Sequence, residues 1–307
     1  MYLYLPVALT SINILIPVGL GLAVGLLSGL FGVGGGFLLT PLLIMFGIPS
    51  TVAAATDSNQ IVAASTSGTY AHWKVGNVDF KMGLYLLVGG FVGGLIGVQA
   101  IKLLHAMGNA DFVIKMTYVL MLGIVGVYMF IESIQSMRKG KSVVAEVKEE
   151  KESAVGRFLR SLPLQTRFEK SGVTHSALVP IVLGAFVGIL AAIMGVGGGF
   201  LMVPVMVYML RMPMHVVVGT SLFQILFTCI EVTFLQATTN HSVDFLLAVL
   251  LLLGSTIGAQ VGTVFGRKLK GEQLKVLLAT IVLAVTVKIV FELTMTPSLL
   301  ISQAGGH

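Results

Sequence analysis

The chain has 307 residues, 56% of them hydrophobic and 10% charged, with a mean hydropathy of +0.97 and a net charge of +6. Soluble globular proteins carry about 25% charged residues. The composition therefore excludes an ordinary soluble domain and predicts an all-α membrane protein whose spans each need roughly 20 apolar residues. The positive charge forms no basic stripe interleaved with aromatics, which argues against a nucleic-acid partner.

From the start, Met1 to Asn13 has no Lys or Arg and lacks the charged beginning of a secretory signal peptide. The first apolar run is predicted to stay in the membrane. Apolar segments fall at 12–31, 36–47, 51–71, 80–104 and 112–135. The stretch 137–172 differs, with nine Lys and Arg and the run Lys148-Glu149-Glu150-Lys151-Glu152. It reads as a solvated cytoplasmic linker, a tether. A second series follows at 175–194, 199–210, 215–238, 244–266 and 273–296. Predicted domains are a first membrane repeat at 1–136, the linker at 137–172 and a second membrane repeat at 173–307. Segments 36–47 and 199–210 are too short to span comfortably and read as half-helices or re-entrant pieces. The single cysteine, Cys229, excludes an intrachain disulfide and reads as packing in an apolar segment.

The two series are related. Gly32-Val33-Gly34-Gly35-Gly36-Phe37 recurs as Gly195-Val196-Gly197-Gly198-Gly199-Phe200, each followed four residues on by proline, Pro41 and Pro204. Thr56 through Gln60 matches Thr220 through Gln224, and Val78-Asp79-Phe80 matches Val243-Asp244-Phe245. Gly93, Gly97 and Gln99 are aligned with Gly254, Gly258 and Gln260. Internal duplication follows. Lys and Arg favour the cytoplasm, which places the linker, Lys74, Lys81, Arg211, Arg267, Lys268, Lys270 and Lys275 inside and both termini outside. Lys102 and Lys115 fall outside, as an exception. Five crossings per half orient the halves oppositely. The predicted fold is two inverted repeats of about five transmembrane or half-membrane helices each. Re-entry of the short segments would leave four per half and make the repeats parallel.

The glycine runs break the helix and let the backbone approach a neighbour closely. A helix beginning just after such a break presents unpaired N–H groups and a positive dipole end. Two such ends near the midplane would hold an anion without a full positive charge. Close helix packing by small residues is the other reading. The runs are neither a dinucleotide fingerprint nor a phosphate-binding loop, because Phe37 takes the third glycine position and no Gly-Lys-Ser/Thr follows. Hydroxyls and amides within an apolar segment need partners or a wet cavity. The clusters at 56–60 and 220–224 therefore read as ligand-binding or as interhelical hydrogen-bond glue. Expected substrate-binding residues are Gly34, Gly35, Gly36, Thr56, Ser58, Asn59 and Gln60 with Gly197, Gly198, Gly199, Thr220, Ser221 and Gln224. Gln99 and Gln260 follow glycines that signal close helix contact.

Ionisable residues at membrane depth are Asp57, Glu132, Glu231, Lys288 and Glu292. Asp57 and Glu231 are candidates for carrying a coupling proton. Lys288 and Glu292, four apart, read as a structural pair; Glu132 can snorkel. His72 and Trp73 suit an interfacial aromatic belt. No His/Cys/Asp spacing suggests a metal site, no nucleophile–base pair suggests an enzyme, and no cofactor is implied.

At these residues the chain resembles the sulfite exporter TauE/SafE family, the sulfonate and sulfite permeases. The resemblance rests on the doubled GVGGGF, the prolines, the Thr-to-Gln clusters and the Val-Asp loops, and covers all but the linker. It implies a secondary permease of the cytoplasmic membrane moving sulfite, a sulfonate or thiosulfate. It also implies that the glycine breaks and the Gln60 and Gln224 clusters bind substrate. Asp57, Ser58 and Asn59 stand where the second half has Ser221, Leu222 and Phe223, so the expected site is asymmetric. A passive anion pore is the alternative. The expected partners are the anion and the lipid bilayer, and glycine-lined faces permit a homodimer.

Overall fold

The computed structural model describes residues 2–31, 36–139, 164–266 and 271–294. Each half opens with a short antiparallel strand pair and continues through five helices. The first has β1 (Tyr2–Leu5), β2 (Thr10–Asn13), α1 (Leu15–Phe31), α2 (Gly36–Met45), α3 (Ser50–Lys74), α4 (Phe80–Ala106) and α5 (Ala110–Lys139). The second has β3 (Gln165–Phe168), β4 (Val173–Ser176), α6 (Leu178–Met194), α7 (Gly199–Tyr208), α8 (Met214–Leu235), α9 (Phe245–Gly266) and α10 (Gly271–Thr294). A π-type turn, Gln236–Asn240, extends α8.

The strand pairs correct the all-α expectation. Tyr2 pairs with Asn13 and Leu5 with Thr10, and Gln165 pairs with Ser176 and Phe168 with Val173. Strands of four residues are too short for hydrophobic periodicity to signal reliably. The second pair also takes in residues that the charge pattern assigned to the linker, which begins the second half earlier. The remainder of that tether, 140–163, lies outside the described residues.

Four stretches among the described residues are long and apolar enough to cross a membrane: Phe80–Ala106, Ala110–Tyr128, His215–Asn240 and Phe245–Gly262. Helices α2 and α7 have 10 residues each. At 1.5 Å per residue they reach about 15 Å, half of a hydrocarbon core about 30 Å thick. The 25-residue α3 is long enough to span, yet its sequence is polar and its first three turns are buried.

Glycines set the helix pairs. A Cβ at Gly89, Gly93 or Gly97 of α4 would strike α6 at Ile181, Ala185 or Ile189. One at Gly254, Gly258 or Gly262 of α9 would strike α1 at Val18, Leu22 or Leu26. Contacts advance along both chains together, so the partners run in the same direction with backbones touching, as small residues permit. They also equate Gly89, Gly93 and Gly97 with Gly254, Gly258 and Gly262. The sequence alignment of Gly93 with Gly254 was one helical turn out, because glycine every fourth residue aligns equally well at either register. These glycine faces are consumed within the chain, which removes the ground for a dimer through them.

Two aspartates tie the halves together. Asp79 Oδ1 accepts from Met82 N at 3.0 Å and caps α4, while Oδ2 accepts from Ser171 N at 3.1 Å in the β3–β4 turn. Its own N–H donates to Thr220 Oγ1 at 3.0 Å. Asp244 repeats the arrangement: Leu247 N at 3.1 Å, Val7 N at 3.1 Å in the β1–β2 turn, and its own N–H to Thr56 Oγ1 at 3.2 Å. Each clamp thus joins one half's hairpin and third helix to the start of the other half's fourth helix. Thr56 lies in the second turn of α3, while Asp79 follows its end, so the clamps sit at opposite ends of α3. Helices α3 and α8 cross the centre antiparallel: His72 meets Gly219, and Gly68 meets Leu222.

Candidate functional site

The second glycine break is fully described. Gly195 ends α6 in the left-handed region (φ 72°), its N–H bonded to Ala191 O, and Gly197 (φ 68°) and Gly198 (φ 71°) precede α7. A side chain at such φ costs about 1–2 kcal/mol, so glycine is required by conformation as well as by space. The Tyr118 hydroxyl of α5 donates to Met194 O. Ser58 Oγ lies 3.2 Å from Ala54 O and 3.3 Å from Gly195 O. The end of α6 is therefore held on α3 and α5.

The first break, Gly32 to Gly35, lies outside the described residues, and the expected roles of Gly34 and Gly35 lie there with it. Gly36, the first residue of α2, is described. A Cβ there would collide with Ile61 and sit 3.5 Å from Asp57 Oδ1. A Cβ at Gly197 would lie 3.2 Å from Ile61 Cγ2, and 2.7 Å from both Ile225 Cγ2 and Cys229 Sγ. Ile61 therefore touches the start of α2 and the break before α7. Ile61, Ile225 and Cys229 form a small buried cluster between them, where Cys229 packs.

Polar groups surround this cluster. Asp57 is fully buried; its Oδ2 accepts from Thr40 Oγ1 of α2 at 2.8 Å, and its Oδ1 has no partner. Gln60 and Gln224 are buried and each leaves its Oε1 unpaired. Gln224 Nε2 donates to Thr228 Oγ1 at 3.0 Å, beside Gly90 of α4. Buried polar atoms without partners are rare and mark places where water or a ligand belongs.

Among the expected residues, Gly36, Asp57, Ser58, Gly197 and Gly198 gather at the centre, and Gly199 begins α7 beside them. Thr56 and Thr220 sit in the two clamps, their oxygens taken by backbone N–H groups. Ser221 turns back to Val218 O at 3.0 Å, and Asn59 is half-buried. Glu231 stands further along α8 against Gly94. Gln99 and Gln260 are exposed, as are Trp73 and Lys288. The side chains of Glu132 and Glu292, and so the Lys288–Glu292 pair, lie outside the described residues. Sequence reasoning missed Thr40, Thr228 and Tyr118; each is a lone polar residue in an apolar run, with nothing local to mark its partner. Among the described residues no cluster of His, Cys, Asp and Glu could hold a metal.

These features define a multi-pass helical membrane protein in which Ile61 lies against both the start of α2 and the glycine break before α7. Residues 18–289 match the sulfite exporter TauE/SafE family, and the chain belongs to that family of membrane transporters. It is similar to the probable membrane transporter protein YjnA of Bacillus subtilis, 26% identical over 88% of this chain and 97% of that one. YunE of the same organism, also described as a probable membrane transporter protein, is 25% identical over 91% and 98%. Sulfite exporter TauE/SafE family protein 1 of Arabidopsis thaliana is 32% identical over 33% of this chain and 23% of its own length. No solved structure matches the chain.

Proposed function

We propose that the chain is a secondary transporter of small sulfur-containing oxyanions, sulfite or an organosulfonate, in the cell membrane. Transport proceeds by alternating access between two oppositely oriented repeats. The observation that carries this reading is the contact of Ile61 with both the start of α2 and the break before α7. It brings two helix starts, each with unpaired N–H groups and a positive dipole end, to one place. Gln60, Gln224 and Ser58 add hydrogen-bonding groups without a fixed positive charge, which suits an oxyanion that must bind and leave.

The inverted arrangement is supported by the reciprocal clamps. In this reading α1 and α2 enter together and return to the β1–β2 face, and α6 and α7 do the same from the β3–β4 face. Both segments of each pair are then re-entrant, leaving three crossings per half, an odd number, so opposite orientation is kept. Lys74, Lys81, Arg167 and Lys170 cluster at the β3–β4 face: Lys81 Nζ donates to Arg167 O at 3.0 Å and Lys170 Nζ to Gly76 O at 3.5 Å. The positive-inside bias puts this face and the linker in the cytoplasm and both termini outside. The apolar cluster of Ile61, Ile225 and Cys229 between the breaks favours a gated carrier over a standing pore.

Binding is the direct test. An anion bound at 100 times its Kd stabilises the folded protein by about 2.7 kcal/mol. Sulfite should raise the melting temperature of the purified protein in detergent saturably, and Gln60→Ala with Gln224→Ala should abolish the rise. An unchanged sulfite response in the double variant would sink the site assignment.

A further inference from the structure

The two halves differ along the face of α8 that meets α4. Gln224, Thr228 and Glu231 follow one another on that face, and α4 opposes them with glycine. A Cβ at Gly90 would lie 2.7 Å from Thr228 Oγ1 and 3.1 Å from Gln224 Nε2; one at Gly94 would lie 2.8 Å from Glu231 Oε2. The glycines make room for the three polar side chains. Gln224 Oε1 and Glu231 Oε2 are both buried without a partner. The ladder starts at the centre, since Ile225 beside Gln224 touches Gly197, and climbs toward the β1–β2 face. The first half has Gln60, Ala64 and Ser67 at these places, and no acid.

We propose that Glu231 is the site of a coupling proton, with Thr228 and Gln224 linking it to the anion at the centre. The inference rests on the transporter reading. Protonation turns the Glu231 carboxylate into a neutral acid, and release to the opposite face restores it; nothing else is consumed. Asp57 is the weaker candidate of the two carboxylates. It is fully buried and bonded to Thr40 of α2, whereas Glu231 is only half-buried.

No fixed charge among the described residues occupies Glu231. Helix α6 has no ionisable side chain, and α7 has only Tyr208. On α4, Lys81, Tyr85, Lys102 and His105 are the titratable groups; the nearest in sequence to Gly94, Lys102, is eight residues on, about 12 Å of helix rise. On α3 they are Asp57, Tyr70, His72 and Lys74, and α8 adds His215 and Cys229, with His241 beyond the π turn. The carboxylate faces Gly94 of α4, where a Cβ would lie 2.8 Å from Oε2.

The test separates exchange from accumulation in proteoliposomes of the full chain with radiolabelled sulfite. One coupled proton lets a gradient of one pH unit drive about tenfold accumulation. Glu231→Gln is expected to keep sulfite exchange at the wild-type rate and lose accumulation, while Glu231→Asp keeps both. Accumulation by Glu231→Gln equal to wild type overturns the proposal. Loss of exchange as well would place Glu231 in the anion site or the fold, and a response to a sodium gradient instead of pH would name the wrong ion. Wild-type protein that neither exchanges nor accumulates sulfite removes the transporter reading itself, and the assignment falls with it.

Discussion

At the centre, single positions are the most tightly constrained. Gly197 is constrained twice, by its positive φ and by Ile225 and Cys229 at 2.7 Å from any Cβ. Gly197→Ala should cost about 1–2 kcal/mol from backbone strain and about 1–3 kcal/mol more from overpacking. The expected outcome is a lower melting temperature together with loss of the sulfite response. Gly19→Ala, where a Cβ meets nothing within 4 Å, should leave both unchanged. An equal effect at the two glycines would mean that the break has no special role. The sequence marked Gly197 through the repeated motif, but Thr40 and Tyr118 were invisible to it. Their partners, Asp57 and Met194, lie 17 and 76 residues away, and only folding brings them together.

Helices and clamps set where these positions sit. Removing Asp79 takes away a helix cap, worth about 0.5–2 kcal/mol, and leaves Ser171 N and the N–H groups of α4 without their acceptor. Asp79→Ala and Asp244→Ala should each destabilise the protein by about 1–3 kcal/mol. Because the clamps share no partner, the double variant should lose the sum of the two in thermal denaturation. A strongly non-additive result would show that the clamps act as one unit. Helix pairing is open to a similar test: Gly93→Leu should drive α4 off α6 and abolish monodisperse, folded protein in size-exclusion chromatography. Much of this level was legible in the chain. The ten apolar segments fall within a few residues of α1 to α10, because long apolar runs are what a membrane helix requires. The strand pairs were not, since Tyr2–Leu5 and Gln165–Phe168 are too short to show a period. Asp79 and Asp244 were visible as repeat markers, yet their role depends on Ser171 and Val7 in hairpins the sequence did not reveal.

For the whole molecule, two related halves pack against each other through α3 and α8, and in the proposed transporter their breaks form a shared centre. In that proposal the β3–β4 hairpin and linker lie in the cytoplasm and the β1–β2 hairpin outside. A reporter active only in the cytoplasm should therefore work when inserted within 140–163 and fail when fused after His307. Activity at both places would end the three-crossing scheme. The decisive experiment is saturable transport by the purified wild-type chain in proteoliposomes, with sulfite, methanesulfonate, thiosulfate and sulfate offered separately. Saturable exchange of sulfite or the sulfonate, lost in Gly197→Ala, is the predicted result. Flux that rises linearly with concentration, or no flux of any of these anions from folded protein, would contradict it.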